Sequence, residues 1–144
     1  MEKFPHLYTS KAMCESSGSA ITESRECPVL HVAEPKEFGG TGKEWSPEQM
    51  FVSTVANCLL LTFRAIANAS KFEFIDIKCV AVGKLDRVEG NNRFTNIDIS
   101  ANLLLKSNSD KQKGLRLLNK AEKQCLIKNS ISSEVNFNNE ISYE

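Results

Sequence analysis

The chain has 144 residues, and its 18 Lys and Arg residues balance its 18 Asp and Glu residues. A chain of this length predicts one domain, 1–144, that buries about two-thirds of its unfolded surface. The zero net charge argues against a global field that attracts nucleic acid or an anionic membrane.

The cellular location is predicted from two further features. Residues 1–13 lack the apolar core that a signal peptide needs. The longest apolar stretch is interrupted by Asn57, Thr62 and Arg64, which argues against a membrane span. We therefore expect a cytoplasmic protein that binds neither nucleic acid nor membrane.

The first third of the chain alternates weakly between apolar and polar residues, which predicts short strands. The candidate strands are residues 4–13, 20–24 and 27–34, with a turn at SSGS, residues 16–19. Residues 34–44, EPKEFGGTGKE, are rich in glycine and predict a loop. A phosphate-binding P-loop is not favoured, because Lys43 is followed by Glu44 rather than by Ser or Thr.

A long helix is predicted to begin at EWSPEQ. Ser46 is a suitable N-cap, Pro47 suits the first helical position, and Gln49 completes a capping box. Glu48 lies favourably near the positive end of the helix dipole. The following residues, up to about Ile66, are apolar around most of the circumference. This pattern indicates a central helix that must be covered on several sides.

The second half of the chain predicts two strands, a helix and a last strand. Residues 75–85 and 94–106 each place alternating apolar residues on one face, and residues 86–93 suggest a hairpin turn between them. A helix over 110–125 has the apolar stripe Leu115, Leu118, Ala121 and Cys125. Residues 132–144 predict an edge strand, and the order of elements indicates an α+β fold.

Five cysteines are more than packing requires: Cys14, Cys27, Cys58, Cys79 and Cys125. Structural disulfides are rare in the cytoplasm, and the spacings contain neither CxxC nor a Cys/His zinc pattern. We therefore predict no metal ion and no other cofactor. Cys79 is interpreted as a core residue on a strand face.

Two interpretations of Cys58 and Cys125 remain open from the residues alone. Both can be small core hydrophobes. Alternatively, one thiolate attacks a peroxide to give a sulfenic acid, with which the other thiol condenses to a disulfide. The second interpretation needs a nearby cation, because an apolar environment raises the pKa of a thiol. Arg64 is not the obvious cation, since it lies about 9 Å along the helix and roughly 120° around it from Cys58.

The run PKEFGGTGKEWSPEQMFVSTVANCLL, residues 35–60, followed by AEKQCLIKNSI, residues 121–131, resembles the OsmC/Ohr family. These proteins are peroxidases that reduce organic hydroperoxides. The matching features are a glycine-rich loop before a capped Pro-Glu, a cysteine ten residues after that Glu, and a second cysteine near the end of a later helix. The resemblance implies an OsmC-like fold, with antiparallel sheets wrapped around a long buried central helix in an intertwined homodimer.

The resemblance also implies roles for individual residues. Cys58 corresponds to the peroxidatic nucleophile and Cys125 to the resolving cysteine of an intrachain disulfide. Glu48 corresponds to the glutamate that helps to orient an active-site arginine. The implied partners are an apolar, lipid-like organic hydroperoxide and a dithiol reductant such as a lipoyl group. The implied role is defence against oxidative stress.

The chain departs from the family pattern at the activating arginine. The family supplies it from the first strands or from the loop before the long helix, whereas residues 1–20 contain no arginine. Arg25 is the only arginine before Cys58, and it does not align clearly with the expected position. Leu126 replaces a proline that is common after the second cysteine, which indicates a less characterised branch. The alternative function is therefore an OsmC-like protein without efficient peroxidase activity that binds an apolar ligand at the dimer interface.

Overall fold

The structure is a computed structural model that describes residues 3–144. The chain divides into two compact units, Met1–Met50 and Phe51–Glu144, which we call the N-terminal unit and the C-terminal unit. The part of the chain that is described contains six strands, arranged in two three-stranded sheets, together with three α-helices. The predicted α+β fold is confirmed.

The N-terminal unit contains an antiparallel sheet in the order β1-β2-β3. Its strands are β1 (Lys11–Met13), β2 (Ala20–Glu23) and β3 (Leu30–Val32). All three lie inside predicted strands, although β1 covers only the end of residues 4–13. The predicted turn at 16–19 is confirmed and contains Gly18 at φ 88°. The glycine-rich loop contains one short 3₁₀ turn, Lys36–Phe38.

The first long helix, α1 (Pro47–Ala69), begins with the predicted capping box. The Ser46 N–H donates to Gln49 Oε1 at 3.1 Å, and the Gln49 N–H donates to Ser46 Oγ at 3.2 Å. These reciprocal bonds satisfy two backbone donors that the helix start would otherwise leave free. The helix ends where Lys71 adopts φ 48° and the Phe72 N–H donates to the Ala67 carbonyl at 2.9 Å. This geometry is that of a Schellman motif.

The C-terminal unit contains a sheet in the order β4-β5-β6. Strands β4 (Asp76–Val88) and β5 (Asn91–Leu105) form the predicted antiparallel hairpin. The turn is shorter than predicted, because Glu89 and Gly90 both take positive φ, at 51° and 82°. Two such residues make a tight two-residue connection, so the strands extend into the predicted turn.

One detail differs from the predicted antiparallel sheets. The edge strand β6 (Glu134–Tyr143) runs parallel to β5. The chain between them forms the helices α2 (Lys111–Gln124) and α3 (Leu126–Ser130). Such a helical crossover returns the chain to the starting end of the sheet, so that the next strand is parallel to the previous one.

The core of the C-terminal unit lies on one face of this sheet. The predicted inner face of β5 is fully buried, as are the α2 residues Leu118 and Ala121. These residues pack with one stripe of α1. The buried α1 residues are Val55, Leu59, Phe63, Ile66 and Ala67.

The opposite face of α1 is open in the single chain. Leu61 is 54% exposed, and it shares this face with exposed polar and small residues. These are Thr54, Asn57, Arg64, Ala65 and Asn68. Within the single chain, α1 is thus buried along one face and exposed along the other. By length and composition alone α1 could cross a membrane, a test that core helices of soluble proteins also pass.

Candidate functional site

Cys58 lies at the margin between the buried stripe and the exposed face of α1. It is partly buried, whereas Leu59, the next residue, is 1% exposed. One turn further along the helix, Thr62 places its Oγ1 4.0 Å from the Cys58 Sγ. The thiol is thus placed by a helix, on a residue that is only partly buried.

Cys125 lies between α2 and α3. The prediction placed it inside a helix that ends at residue 125, but α2 ends at Gln124, and Cys125 adopts φ −65° and ψ 106°. Its N–H donates to the Glu122 carbonyl at 3.4 Å, and its own carbonyl accepts from the Asn129 N–H at 3.1 Å. The residue is 0% exposed, so this thiol belongs to the core.

The structure brings the thiols of Cys58 and Cys125 within hydrogen-bonding distance of each other. Burial, together with this contact, raises the pKa of Cys125 from 9.0 to about 11. Backbone N–H groups of Lys128 and Ile127 hydrogen-bond to the Cys125 side chain and partly oppose the rise. Cys125 is therefore a protonated thiol at neutral pH. It is close to a second sulfur that belongs to a distant part of the sequence.

The N–H donors at Ile127 and Lys128 are a feature that the sequence analysis missed. They belong to α3, a helix of only five residues that the apolar periodicity did not predict. Ser130, whose Oγ donates to the Leu126 carbonyl at 2.8 Å, closes this single turn. Backbone donors have no side-chain signature, so only the geometry identifies them.

Glu48 lies in the first turn of α1, within the N-terminal unit. It lines a cavity of about 420 Å³ whose other walls include Cys14, Gly18 and Glu34. Its Oε2 is buried and has no hydrogen-bond partner among the residues described. Buried carboxylate oxygens are normally paired, so Oε2 can accept a hydrogen bond from a further donor.

Arg25 does not supply that donor within the N-terminal unit. Its side chain is 93% exposed, and its Nε lies 3.4 Å from Oε1 of the neighbouring Glu26. It lines a different hollow, together with Lys11 and Glu23. Residues 3–24 contain no arginine. The departure from the family pattern therefore persists in the structure of this unit.

Within residues 3–144 the remaining cysteines have no thiol partner of this kind. Cys14 and Cys27 are exposed, and none of the five cysteines forms a disulfide within residues 3–144. Cys79 pairs with Ala101 across the sheet and packs against the core, and burial raises its pKa. This position agrees with its interpretation as a core residue. In the part of the chain that is described, no group of three His, Cys, Asp or Glu side chains is suitably placed for a metal ion.

Comparison with known sequences identifies one family and two relatives. Residues 40–140 match the model of the OsmC-like protein family. The chain is 26% identical over 117 residues to the uncharacterized protein YmaD of Bacillus subtilis, which covers 79% of this chain and 78% of that protein. It is 28% identical over 103 residues to the uncharacterized protein MJ0573 of Methanocaldococcus jannaschii, which covers 69% of this chain and 53% of that protein.

Comparison with solved structures supports the same fold. An OsmC-like protein of unknown function from Vibrio cholerae, VCA0330, superposes with a TM-score of 0.84 at 18% identity, covering 94% of this chain and 99% of that one. An organic hydroperoxide resistance protein OsmC from Legionella pneumophila gives a TM-score of 0.74 at 24% identity and covers 97% and 99%. The organic hydroperoxide resistance protein OhrB of Bacillus subtilis gives 0.66 at 20% identity and covers 95% and 100%. At these identities the likeness is one of fold.

Proposed function

The chain belongs to the OsmC family, and from this premise we propose that it is a thiol peroxidase that reduces organic hydroperoxides. The observation that carries the proposal is the contact between Cys58 and Cys125. Two core cysteines that served only as small hydrophobes would have no need to meet. A partly accessible thiol next to a buried one is the arrangement that a peroxidatic and resolving pair requires.

The proposed reaction begins at Cys58. Its thiolate attacks the terminal oxygen of the hydroperoxide, the one that carries the hydrogen, so that a sulfur–oxygen bond forms and the O–O bond breaks. The alkoxide that leaves takes a proton and becomes an alcohol. Cys125 then attacks the Cys58 sulfenic acid, forming the disulfide and releasing water. The two thiols together supply the two electrons that reduce the hydroperoxide.

The proposal includes a homodimer whose second copy covers the exposed face of α1. Leu61 is the largest apolar side chain on that face, and it is 54% exposed. A second subunit would also complete an apolar cavity next to Cys58, suited to a lipid-like hydroperoxide. The reductant in this proposal is a dithiol, such as a lipoyl group, and the location is the cytoplasm.

The Glu48 oxygen that has no hydrogen-bond partner supports the proposal that this residue pairs with a cation. Glu48 would orient this cation, which in turn would stabilise the Cys58 thiolate and the developing negative charge on the leaving oxygen. A guanidinium suits this role best, because its planar fork binds a carboxylate and a second acceptor at once.

A second candidate function is the binding of an apolar ligand without efficient peroxidase activity. The observation that favours it is the missing arginine, since Arg25 pairs with Glu26 and is almost fully exposed. Under this alternative Cys58 and Cys125 are incidental to the function. The two candidates differ in whether a hydroperoxide oxidises the thiol pair.

The deciding experiment is intact-mass analysis of the reduced chain after one equivalent of cumene hydroperoxide, without added reductant. The peroxidase proposal predicts the loss of two hydrogens per chain. Cys58→Ser abolishes the change, Cys125→Ser instead gains one oxygen, and Cys79→Ser, the matched control in the core, behaves as the unmodified chain. An unchanged mass of the unmodified chain would leave only the ligand-binding function.

A further inference from the structure

The two sulfurs of the proposed disulfide differ in access. Cys125 is 0% exposed and lies among the core residues, while Cys58 is partly buried at the edge of the open face of α1. The thiols already lie within hydrogen-bonding distance in the reduced chain, so the S–S bond joins two sulfurs that are neighbours before oxidation. The difference in access therefore persists in the oxidised chain.

We propose that the reducing thiol attacks the sulfur of Cys58 in the oxidised chain and expels Cys125. This inference rests on the proposed function, since it concerns the disulfide that the peroxidase reaction forms. Thiol–disulfide exchange depends on which sulfur the incoming thiolate can reach. The incoming sulfur must approach along the S–S axis, on the side opposite to the leaving sulfur. Cys58 is partly exposed, beside the face of α1 where the proposed dimer would complete a cavity, whereas Cys125 is 0% exposed and leaves no room for an incoming thiol.

Burial disfavours the Cys125 thiolate as a leaving group, and two backbone donors offset part of this cost, so access rather than leaving ability sets the point of attack. When the incoming thiolate bonds to Cys58, the S–S bond breaks and its electron pair goes to the Cys125 sulfur. The N–H groups of Ile127 and Lys128 already hydrogen-bond to this side chain and can stabilise the negative charge. The Cys125 thiolate then takes a proton and returns to the neutral form that its buried position favours.

The second half of the exchange releases Cys58. In the mixed disulfide, one sulfur of the dithiol reductant is bonded to Cys58. The second thiol of the reductant attacks that sulfur, which closes a cyclic disulfide within the reductant and expels the Cys58 thiolate. The reductant is thereby oxidised by two electrons, which balances the two electrons that the hydroperoxide took. A monothiol lacks this internal second thiol, so it leaves the chain longer as a Cys58 mixed disulfide.

The test uses the Cys14→Ser, Cys27→Ser double variant, which removes both exposed thiols. The chain is oxidised with diamide rather than with a hydroperoxide, mixed with excess 2-mercaptoethanol, and quenched with acid at successive times. Peptide mass mapping then locates the adduct. We expect an excess of about tenfold or more on Cys58 over Cys125 at the earliest times.

Three results would overturn the proposal or separate it from the function. An adduct that is equal on both cysteines, or larger on Cys125, contradicts it. So does a failure of diamide to join Cys58 to Cys125 at all. If diamide forms the disulfide and the adduct maps to Cys58, but cumene hydroperoxide leaves the reduced chain unchanged, the peroxidase function fails while the point of attack stands.

Discussion

The thiols of Cys58 and Cys125 lie within hydrogen-bonding distance, although one belongs to the middle of α1 and the other lies between α2 and α3. The contact depends on the packing of both helices on the same face of the sheet. Cys125 is on the interior side of the pair, and Cys58 is on the side that opens toward the exposed face of α1. The two cysteines of the pair therefore differ in exposure, since Cys58 is partly exposed and Cys125 is buried.

The raised pKa of Cys125 makes stability depend on pH. In the folded chain the pKa is about 11, compared with 9.0 for the ordinary thiol. Burial favours the neutral form, so this contribution is complete below pH 9 and is lost as the pH rises toward 11. Between pH 8 and 10.5 we expect the reduced chain to lose about 2 kcal/mol more unfolding free energy than Cys125→Ala loses.

The measurement is urea unfolding of both proteins under reducing conditions at the two pH values. Lysines and tyrosines titrate in the same range in both proteins. The difference between the two losses of unfolding free energy therefore gives the contribution of Cys125 alone. Equal losses in the two proteins would show that the thiol is not protected in the folded state.

Gly83 marks a close approach between α1 and the hairpin. A Cβ at this position would overlap Val52 Cγ2 and would lie 2.8 Å from Phe94 Cε1. We expect Gly83→Ala to lower the unfolding free energy by about 1–3 kcal/mol, because a packed core accommodates added volume poorly. Urea unfolding checks this, with Val82→Ala as the control on the exposed face of the same strand, where Val82 is 62% exposed. An unchanged stability of Gly83→Ala would mean that α1 does not pack this closely on β4.

Much of the fold could be predicted because its signals are local. The Ser46–Gln49 capping box involves residues only three positions apart. The alternating apolar residues of β5 directly predict which of its faces is buried. The parallel direction of β6 could not be predicted in this way. The direction of β6 depends on how the connection through α2 crosses the sheet, and the residues of β6 themselves do not indicate this direction.

The candidate site, like the fold, could be predicted from the sequence only in part. Cys58 and Cys125 could be nominated from the sequence because their spacing and context resemble those of a family. Their unequal burial could not be predicted, because it depends on α2 ending at Gln124 and on the backbone turn at Cys125. The unpaired oxygen of Glu48 is likewise a property of the folded chain, since a glutamate at a helix start usually serves the dipole alone.

The exposed face of α1 predicts an assembly that one substitution can disrupt. Leu61→Glu places a charge at the centre of this face, where burial against a second copy would cost several kcal/mol. We expect the variant to remain folded by circular dichroism, since the side chain is already 54% exposed, and to sediment as a monomer in analytical ultracentrifugation. Val80→Glu is the matched control, because Val80 is 64% exposed on the outer face of the sheet. Identical sedimentation of Leu61→Glu and the unmodified chain would contradict the proposed dimer interface.

The unpaired oxygen of Glu48 predicts a large effect on rate and a small effect on stability. Glu48→Gln keeps the size of the side chain but removes its charge, so a cation that pairs with it in the active assembly would lose its orientation. We expect the rate of Cys58 oxidation by cumene hydroperoxide to fall by about tenfold or more, equivalent to roughly 1.4 kcal/mol or more of lost transition-state stabilisation. The unfolding free energy of the isolated chain should fall by no more than about 1 kcal/mol, because Oε2 has no hydrogen-bond partner to lose and only the interaction with the helix dipole is removed. Glu34→Gln, on the wall of the same cavity, is the control and should change neither quantity. A variant that loses stability without losing rate would assign Glu48 to the helix dipole alone.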